Sequence, residues 1–395
     1  MSPEEKPAEE KLAKRLVRRL ENLREKAQLR ELTEVQGINL YSNDYLGLAG
    51  DPRLRSCVVE AVEQAVRLGS TGSRLLSGHS NTWTELEEEF AAFAGTESAI
   101  YFSSGYAANI GLLSSVLTKD DVAFSDSLNH ASLIDGLRLS GVRRMIYSHC
   151  DMNHLEELLK QNPSGGHRVI VTESIFSMEG DHAPLRQIVE LAQRYGAEVV
   201  VDEAHATGTY GARGQGMVAE LGLGDKVFAV VHTCGKALAS MGAFVCGTEV
   251  LKRYLINHAR SFIFSTAMPP YFAQQIRAAL RLAVEMRQER GHLQAVSQLL
   301  RSRLQALRLE TGASASQIIP LLVGANDAAL RLAHRLQLRG FAVRAIRPPT
   351  VPEGTARLRF SMTAKISMQQ VEHLADAIAE YFSEQTIEER IKVGA

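Results

Sequence analysis

Short apolar runs alternate with helical patterns between about residue 40 and residue 250. The runs at residues 169–171, 199–201 and 228–231 are continuous, which is typical of strands that are covered on both faces. Helical patterns lie between such runs, and one of them opens where Thr84 and Glu87 fit a capping box. This alternation predicts βαβ units around a mostly parallel sheet, as in an α/β protein.

The beginning of the chain has the pattern of an amphipathic helix. Its apolar positions are spaced by four and three residues within a stretch rich in Lys, Arg and Glu, and they are Leu12, Leu16, Leu20 and Leu23. A helix on a membrane surface has a similar pattern, but here acidic residues are mixed with the basic ones. We therefore expect this helix to pack on the body of the protein or on a partner subunit.

A second long helical pattern, from Tyr271 to Leu307, follows the pair Pro269-Pro270. It marks the passage into a smaller carboxy-terminal domain with an α+β pattern. We therefore predict an amino-terminal arm at residues 1–47, a large domain at 48–277 and a small domain at 278–395.

Composition narrows the choice of partners. The 44 basic and 45 acidic residues leave no net field that would attract nucleic acid or an anionic membrane. The four cysteines show no zinc-like spacing, so no metal site is expected. No apolar run approaches the length of a membrane span, and the first residues are charged where a signal peptide would be apolar. These features predict a soluble, cytoplasmic protein.

Candidate chemistry follows the predicted strands, because ligands of open α/β sheets lie beyond the carboxyl ends of the strands. A small-residue turn after residues 99–102 suits a phosphate, although such turns also serve mere packing. Asp202 ends the next candidate strand and Lys236 follows the third. Alone, the first could be a helix cap and the second a solvated charge. Together, an aspartate for a pyridine nitrogen and a lysine for a Schiff base predict pyridoxal phosphate (PLP).

Several longer motifs occur in register with these residues. They are residues 42–48, 127–132, 174–181, 202–208 and 233–236. In order and spacing they resemble the α-oxoamine synthases, a family of PLP enzymes, from residue 38 to residue 380. The resemblance implies the fold type I of aspartate aminotransferase and a homodimer with a shared active site.

The resemblance also implies roles for individual residues. Lys236 would bind the cofactor covalently, Asp202 would hold its pyridine nitrogen, and His130 would stack on its ring. The remaining cofactor contacts would come from His205 and Ser177 at the phenolic oxygen, and from Gly105, Tyr106, Thr233 and the second subunit's Thr266 at the phosphate. Arg359 resembles the clamp on the amino-acid carboxylate. Further substrate contacts are expected from Asn43, Arg347, Thr350 and Arg30.

The stretch 345–359 resembles the branch of the family that joins L-alanine to a pimeloyl thioester, with loss of carbon dioxide, in biotin synthesis. The thioester could be on coenzyme A or on a carrier protein. Relatives that use glycine or serine remain an alternative, because the other motifs are shared with them. Ile366 replaces an expected histidine, and Ala239 stands where the biotin branch often has glycine, so a turn that needs positive φ should differ there.

A protein of another class is a second alternative, namely a non-enzymatic PLP effector domain of a transcription regulator. Such a protein should carry a DNA-binding module of about sixty residues with a basic face. The segment before the first motif is shorter than that and mixed in charge. The sequence therefore favours an enzyme.

Overall fold

A computed structural model describes residues 12–32, 34–163 and 165–393. In these ranges the strands are β1 (Ile38–Asn39), β2 (Ser98–Phe102), β3 (Val122–Asp126), β4 (Arg143–Tyr147), β5 (Arg168–Glu173), β6 (Glu198–Asp202), β7 (Ala229–Thr233), β8 (Ala243–Gly247), β9 (Ile318–Gly324), β10 (Phe341–Ala342), β11 (Arg344–Ile346) and β12 (Ala356–Ser361). Residues 1–11 of the predicted arm lie outside the described residues.

The α-helices lie before, between and after these strands along the chain. They are α1 (Leu12–Glu25), α2 (Pro52–Glu63), α3 (Asn81–Ala94), α4 (Gly105–Val116), α5 (Ala131–Ser140), α6 (Met152–Gln161), α7 (Leu185–Tyr195), α8 (Met217–Glu220), α9 (Glu249–His258), α10 (Arg260–Ile263), α11 (Pro270–Glu285), α12 (Arg287–Ala306), α13 (Asn326–Leu338) and α14 (Met368–Val393). None of them, as far as the structure describes the chain, has the length and apolar character of a membrane-spanning segment.

The main sheet has seven strands in the order β2-β8-β7-β6-β5-β3-β4. Only β8 runs against the others within this sheet. The three continuous apolar runs form β5, β6 and β7, and successive side chains enter different apolar clusters: Val199 and Val201 join one, Val200 the other. Alternate residues of a strand point to opposite faces, so both faces are covered. The predicted mostly parallel α/β fold is confirmed.

A second sheet follows the long helices, with antiparallel order β11-β12-β9. The chain start is joined to this region, because β1 pairs in parallel with β10 through Ile38 and Phe341. Backbone bonds extend that contact from Leu40 to Ser361 and from Tyr45 to Ala364. The segment 38–45 is thus held against the carboxy-terminal part of the chain. The division into three domains stays a prediction.

Three local predictions need correction. The pattern 271–307 is two helices, which meet at Met286. Helix α3 begins at Asn81 rather than Thr84, because the Glu87 carboxylate is buried and binds Arg74, Lys252 and the Tyr101 amide instead of capping the helix. Helix α1 forms, yet Leu12, Leu16 and Leu20 are at least half exposed in the single chain, so packing on the chain's own body was a wrong expectation.

Ala239 lies in the turn after β7 with a φ of 43°, in the left-handed region. A side chain there costs about 1–2 kcal/mol, part of which glycine gives back through its greater freedom when unfolded. We expect Ala239→Gly to raise the free energy of unfolding by about 0.5–1 kcal/mol in urea melts. The matched control is Ala237→Gly, which removes a buried methyl group and should lower it. A loss of stability with Ala239→Gly would contradict this account.

Candidate active site

The predicted strand-end residues meet at one edge of the main sheet. Strands β5, β6 and β7 are parallel neighbours, and Glu173 lies opposite Asp202, which in turn lies opposite Val231. Three residues beyond the end of β7, the Lys236 Nζ atom lies 2.7 Å from the Nε2 atom of His205. The sequence places these groups far apart, and parallel pairing brings them together.

Asp202 is buried, and both of its carboxylate oxygens have a donor. Oδ1 accepts from the Ala204 amide at 2.8 Å, and Oδ2 accepts from the Asn109 side chain at 2.7 Å. Asn109 is also buried and donates its second hydrogen to the Ser132 hydroxyl at 2.9 Å. Two donors of this kind stabilise an ionised carboxylate and fix its direction.

His130 begins helix α5 with an exposed ring whose Nδ1 accepts from the Ser132 amide at 3.2 Å. The Ser132 hydroxyl lies 2.7 Å from the same nitrogen. The backbone amide of His130 donates to the buried Glu173 carboxyl group at 2.6 Å. Burial raises the pKa of the Glu173 carboxyl group well above its usual value, and the negative charge of Asp202 adds to this effect. The His130 ring is therefore held in place through its Nδ1 edge.

His205 is fully enclosed, and burial together with the Lys236 charge lowers the pKa of its imidazole well below the usual value. Its Nδ1 atom lies 2.6 Å from the hydroxyl of Tyr45. That hydroxyl lies 3.2 Å from the Asn43 side-chain oxygen, which also accepts from Arg359 at 2.9 Å. A continuous chain of hydrogen bonds thus joins Lys236 to Arg359.

Arg359 is a buried cation on strand β12. Its guanidinium donates to the Ser177 carbonyl at 2.9 Å and to Ser361 at 3.0 Å, besides the bond to Asn43. Among the described residues no carboxylate forms an ion pair with it. A buried charge without a counter-ion is costly unless a ligand supplies one. This site is therefore suited to a carboxylate ligand.

The turn after β2 forms the other side of the site. Helix α4 begins here, and within the described residues the Gly105 and Tyr106 amides have no hydrogen-bond acceptor, because they open the helix. A Cβ on Gly105 would come within 2.7 Å of the Thr233 methyl group, so only glycine fits against β7. Thr266 is exposed and shares a small cavity with Ser103 of this turn. Free amides at a helix start favour an anion such as phosphate.

The residues predicted for the acyl substrate form a separate cluster. Arg30 donates to the Thr350 hydroxyl at 2.9 Å, and Arg347 donates to the Ala27 carbonyl. Arg347 also lines a cavity of about 490 Å³ beside Tyr41. The structure brings these three residues together, since the Thr350 amide also donates to the Arg347 carbonyl, and within the described residues no hydrogen bond or ion pair links them to Lys236.

Three site residues were missed at the level of sequence. Tyr45 lies inside the motif 42–48, Asn109 lies in the first turns of α4, and Glu173 ends β5. The strand-end rule gives a signal for Glu173 alone. Nothing in the sequence indicates that Tyr45 contacts His205 or that Asn109 contacts Asp202.

Burial lowers the pKa of Lys236 to about 8, from an ordinary value of 10.5. Only the neutral amine reacts with an aldehyde, so the second-order rate of PLP binding to the apoprotein should rise about tenfold per pH unit below pH 8 and level off above it. The folded state releases this proton before the unfolded state does, so the lysine's cost to stability is relieved as the pH rises from about 8 to 10.5. Stopped-flow absorbance measures this rate, and the reaction of PLP with a simple alkylamine under the same conditions serves as the reference. A midpoint near 10.5 would contradict the shift.

The chain matches a known protein family over most of its length. A model of the family described as "Aminotransferase class I and II" matches residues 35–378. The chain belongs to this family. It is 43% identical, over 91% of its length and 96% of the relative's, to a Geobacillus kaustophilus protein named "Putative 8-amino-7-oxononanoate synthase".

Two solved structures narrow the family further. A variant of serine palmitoyltransferase from S. paucimobilis, with a bound PLP–myriocin aldimine, has a TM-score of 0.87 at 27% identity and covers 94% of this chain and 98% of its own. The 8-amino-7-oxononanoate synthase of Francisella tularensis has a TM-score of 0.77 at 28% identity, with 89% and 99% covered. This aminotransferase-family chain is a PLP-dependent acyltransferase of the α-oxoamine synthase branch.

The residues present fit that cofactor. The site offers the Lys236 amine with its lowered pKa and the fixed, buried Asp202 carboxylate. It also offers free backbone amides at the start of α4, where Gly105 packs against Thr233. These are groups for an aldehyde, a pyridine nitrogen and a phosphate, respectively.

Proposed function

We propose that this α-oxoamine synthase joins L-alanine to a pimeloyl thioester and releases carbon dioxide and free thiol, the reaction that yields 8-amino-7-oxononanoate in biotin synthesis. The names of the Geobacillus and Francisella relatives support this choice. Both coenzyme A and a carrier protein present the same thioester, so either donor fits the proposal.

The observation that supports an amino-acid substrate is the environment of Arg359. Its guanidinium is buried, lies at the end of the hydrogen-bond chain from Lys236, and has no carboxylate partner among the described residues. An α-carboxylate would neutralise it through two parallel hydrogen bonds. Asn43 already contacts the same guanidinium and would complete the recognition of that carboxylate.

Bound PLP supplies an electron sink, which stabilises the negative charge that develops before the new carbon–carbon bond is made and when the carboxylate leaves as carbon dioxide. Lys236 anchors the cofactor and, once free, takes the α-proton on Nζ, for which a pKa of about 8 is suitable. Asp202 keeps the pyridine nitrogen protonated, and His130 covers the ring. His205 and Ser177 bind the phenolic oxygen. The assignments of Lys236, Asp202, His130 and His205 extend the family resemblance to side chains whose positions are described above, whereas that of Ser177 rests on the resemblance alone.

Phosphate recognition is assigned to the amides of Gly105 and Tyr106 and to the Thr233 hydroxyl. We assign Thr266 to the phosphate of a neighbouring subunit's site, which would make the active unit a homodimer. The exposure of Thr266 and of the apolar side of α1 in the single chain is consistent with that assembly.

Pimelate ends in a second carboxylate, for which Arg347 and Arg30 are the proposed partners. Arg347→Ala should raise the KM for pimeloyl-CoA about tenfold, the scale of one hydrogen bond to a charged group. It should barely change the KM for an uncharged acyl-CoA of equal length. Equal losses with both donors would show instead that Arg347 braces the turn at Thr350 or contacts the phosphates of coenzyme A.

The substrate assay is direct. The purified holoenzyme is mixed with pimeloyl-CoA, or with a pimeloyl carrier protein, and with alanine, glycine or serine separately, and the released thiol is measured. We expect the highest kcat/KM with alanine. A higher value with glycine or serine would replace the proposal with that of a relative using the other amino acid.

A further inference from the structure

Both ring nitrogens of His205 are engaged inside the protein. Nε2 lies 2.7 Å from the Lys236 amine, and Nδ1 lies 2.6 Å from the Tyr45 hydroxyl. Tyr45 is completely buried, and burial raises its pKa, so the hydroxyl keeps its proton. The pKa of His205 is lowered, so the imidazole is neutral and carries one hydrogen only.

The neighbours decide which nitrogen carries that hydrogen. A charged lysine amine has three hydrogens and no lone pair, so Nε2 must accept from Lys236. Nδ1 then holds the hydrogen and donates it to the Tyr45 oxygen. The Tyr45 hydroxyl in turn donates to the Asn43 oxygen, which lies 3.2 Å away. Each hydrogen bond along this chain then has one donor and one acceptor.

The proposed contact of His205 with the phenolic oxygen of PLP needs the opposite arrangement, because that oxygen is an acceptor. Nε2 would then carry the hydrogen, and Nδ1 would need a donor. The Tyr45 hydroxyl meets this need by turning its hydrogen from Asn43 to Nδ1. A hydroxyl can donate and accept, whereas a carboxylate at the same place would only accept and would favour a charged imidazole.

We propose that Tyr45 is a positioning residue that provides a hydrogen-bond partner for neutral His205 in both tautomers, one that accepts from free Lys236 and one that donates to the cofactor oxygen. The second tautomer rests on the proposed role of His205, and the first rests on the hydrogen bonds of this chain alone. In the first tautomer the Asn43 oxygen accepts a hydrogen bond from the Tyr45 hydroxyl, so Asn43 contacts both Tyr45 and Arg359.

Charges around the pair set the background for a pH measurement. His205 faces the cationic Lys236 and Arg359 and the ring of His130. Lys236 faces the carboxylates of Asp202 and Glu173 besides Arg359. Tyr45 faces Arg359 and Tyr210. Removing the Tyr45 hydroxyl changes none of these charges, so a shift in the lysine midpoint would report the hydrogen bond.

Tyr45→Phe tests the proposal in the apoprotein. While Lys236 is charged, Nε2 must still accept from it, so in the variant the hydrogen stays on Nδ1 and lacks an acceptor, whereas a neutral Lys236 allows the hydrogen to move to Nε2 and donate to Nζ. The variant therefore destabilises the charged state of Lys236 through an unsatisfied N–H group, and the pH midpoint of PLP association should fall by about one unit relative to wild type. Cofactor affinity, from equilibrium titration of the visible band, should fall as well.

The matched control is Tyr210→Phe. Its hydroxyl lies 3.2 Å from the Nε2 atom of His182, so it also removes a tyrosine–histidine bond, but one without contact to Lys236. This variant should keep the wild-type midpoint while the urea melts of both variants report the cost to stability. Equal midpoints in wild type and both variants would overturn the proposal.

A measurement on the unmodified protein covers the case in which Tyr45→Phe does not fold. In ¹⁵N-histidine-labelled apoprotein at pH 7, the His205 signals, assigned by their loss in His205→Asn, should show a protonated Nδ1 and a bare Nε2. Addition of PLP should move the hydrogen to Nε2. A protonated Nε2 in the apoprotein would overturn the proposal. Neither experiment contains an amino acid or acyl donor, so failure of the substrate assignment would leave both results unchanged.

Discussion

Asp202→Asn should lower turnover by about 10²–10⁴-fold, because removal of one member of a buried charge pair costs about 3–5 kcal/mol and each 1.36 kcal/mol corresponds to a factor of ten. The neutral amide cannot hold the pyridine proton. It also fits its surroundings poorly, since both aspartate oxygens face donors, Asn109 and the Ala204 amide, and one of them would then face an amide NH₂ group. Turnover and deuterium exchange at the alanine α-carbon measure the loss.

The control is Asp126→Asn, which alters another buried carboxylate at a strand end. Asp126 accepts from His149 at 2.8 Å, and it makes no hydrogen bond to Asp202, His205 or Lys236 within the described residues. This variant should lose stability and keep its turnover. Wild-type deuterium exchange in Asp202→Asn, or an equal loss of exchange in the control, would contradict the role of Asp202.

Arg359→Lys is expected to raise the KM for the amino acid about 10–100-fold, because an ammonium cannot form the second parallel hydrogen bond and such a bond contributes about 1.5–3 kcal/mol. The KM for the acyl donor should change far less. Steady-state kinetics with one substrate varied at a time separate the two effects.

Arg357 provides a matched control on the same strand. It is as buried as Arg359, but its guanidinium already pairs with Glu179 at 3.2 Å. Arg357→Lys should therefore leave the amino-acid KM close to the wild-type value. Similar increases in both variants would mean that strand β12 was disturbed and that Arg359 has no special contact with the carboxylate.

The sequence predicts the main sheet well because its signal is local. Continuous apolar runs are found as β5, β6 and β7, and the residues that follow them lie at one edge for the geometric reason that parallel strands share a direction. The positions of Asp202 and Lys236 at this edge, and PLP as their shared ligand, could thus be expected from pattern alone. The roles of the other site residues required the resemblance to a family.

Contacts between distant parts of the chain were beyond such reasoning. Tyr45 and His205 are 160 positions apart, and Asn109 and Asp202 are 93 apart. No periodicity encodes which buried side chains meet across that separation. The misplaced start of α3 has the same origin, because tertiary partners of Glu87 outweigh a local capping preference.

The segment 38–45 is tied by backbone bonds to the carboxy-terminal sheet, while the side chain of Tyr45 reaches the loop after β6. Asn43 and Tyr45 therefore travel with the sheet that carries Arg359, and His205 travels with the sheet that carries Lys236. The Tyr45–His205 bond therefore joins the two sheets, together with the bond from Gln317 to the His205 carbonyl at 2.7 Å. The position of the imidazole depends on both parts of the fold at once.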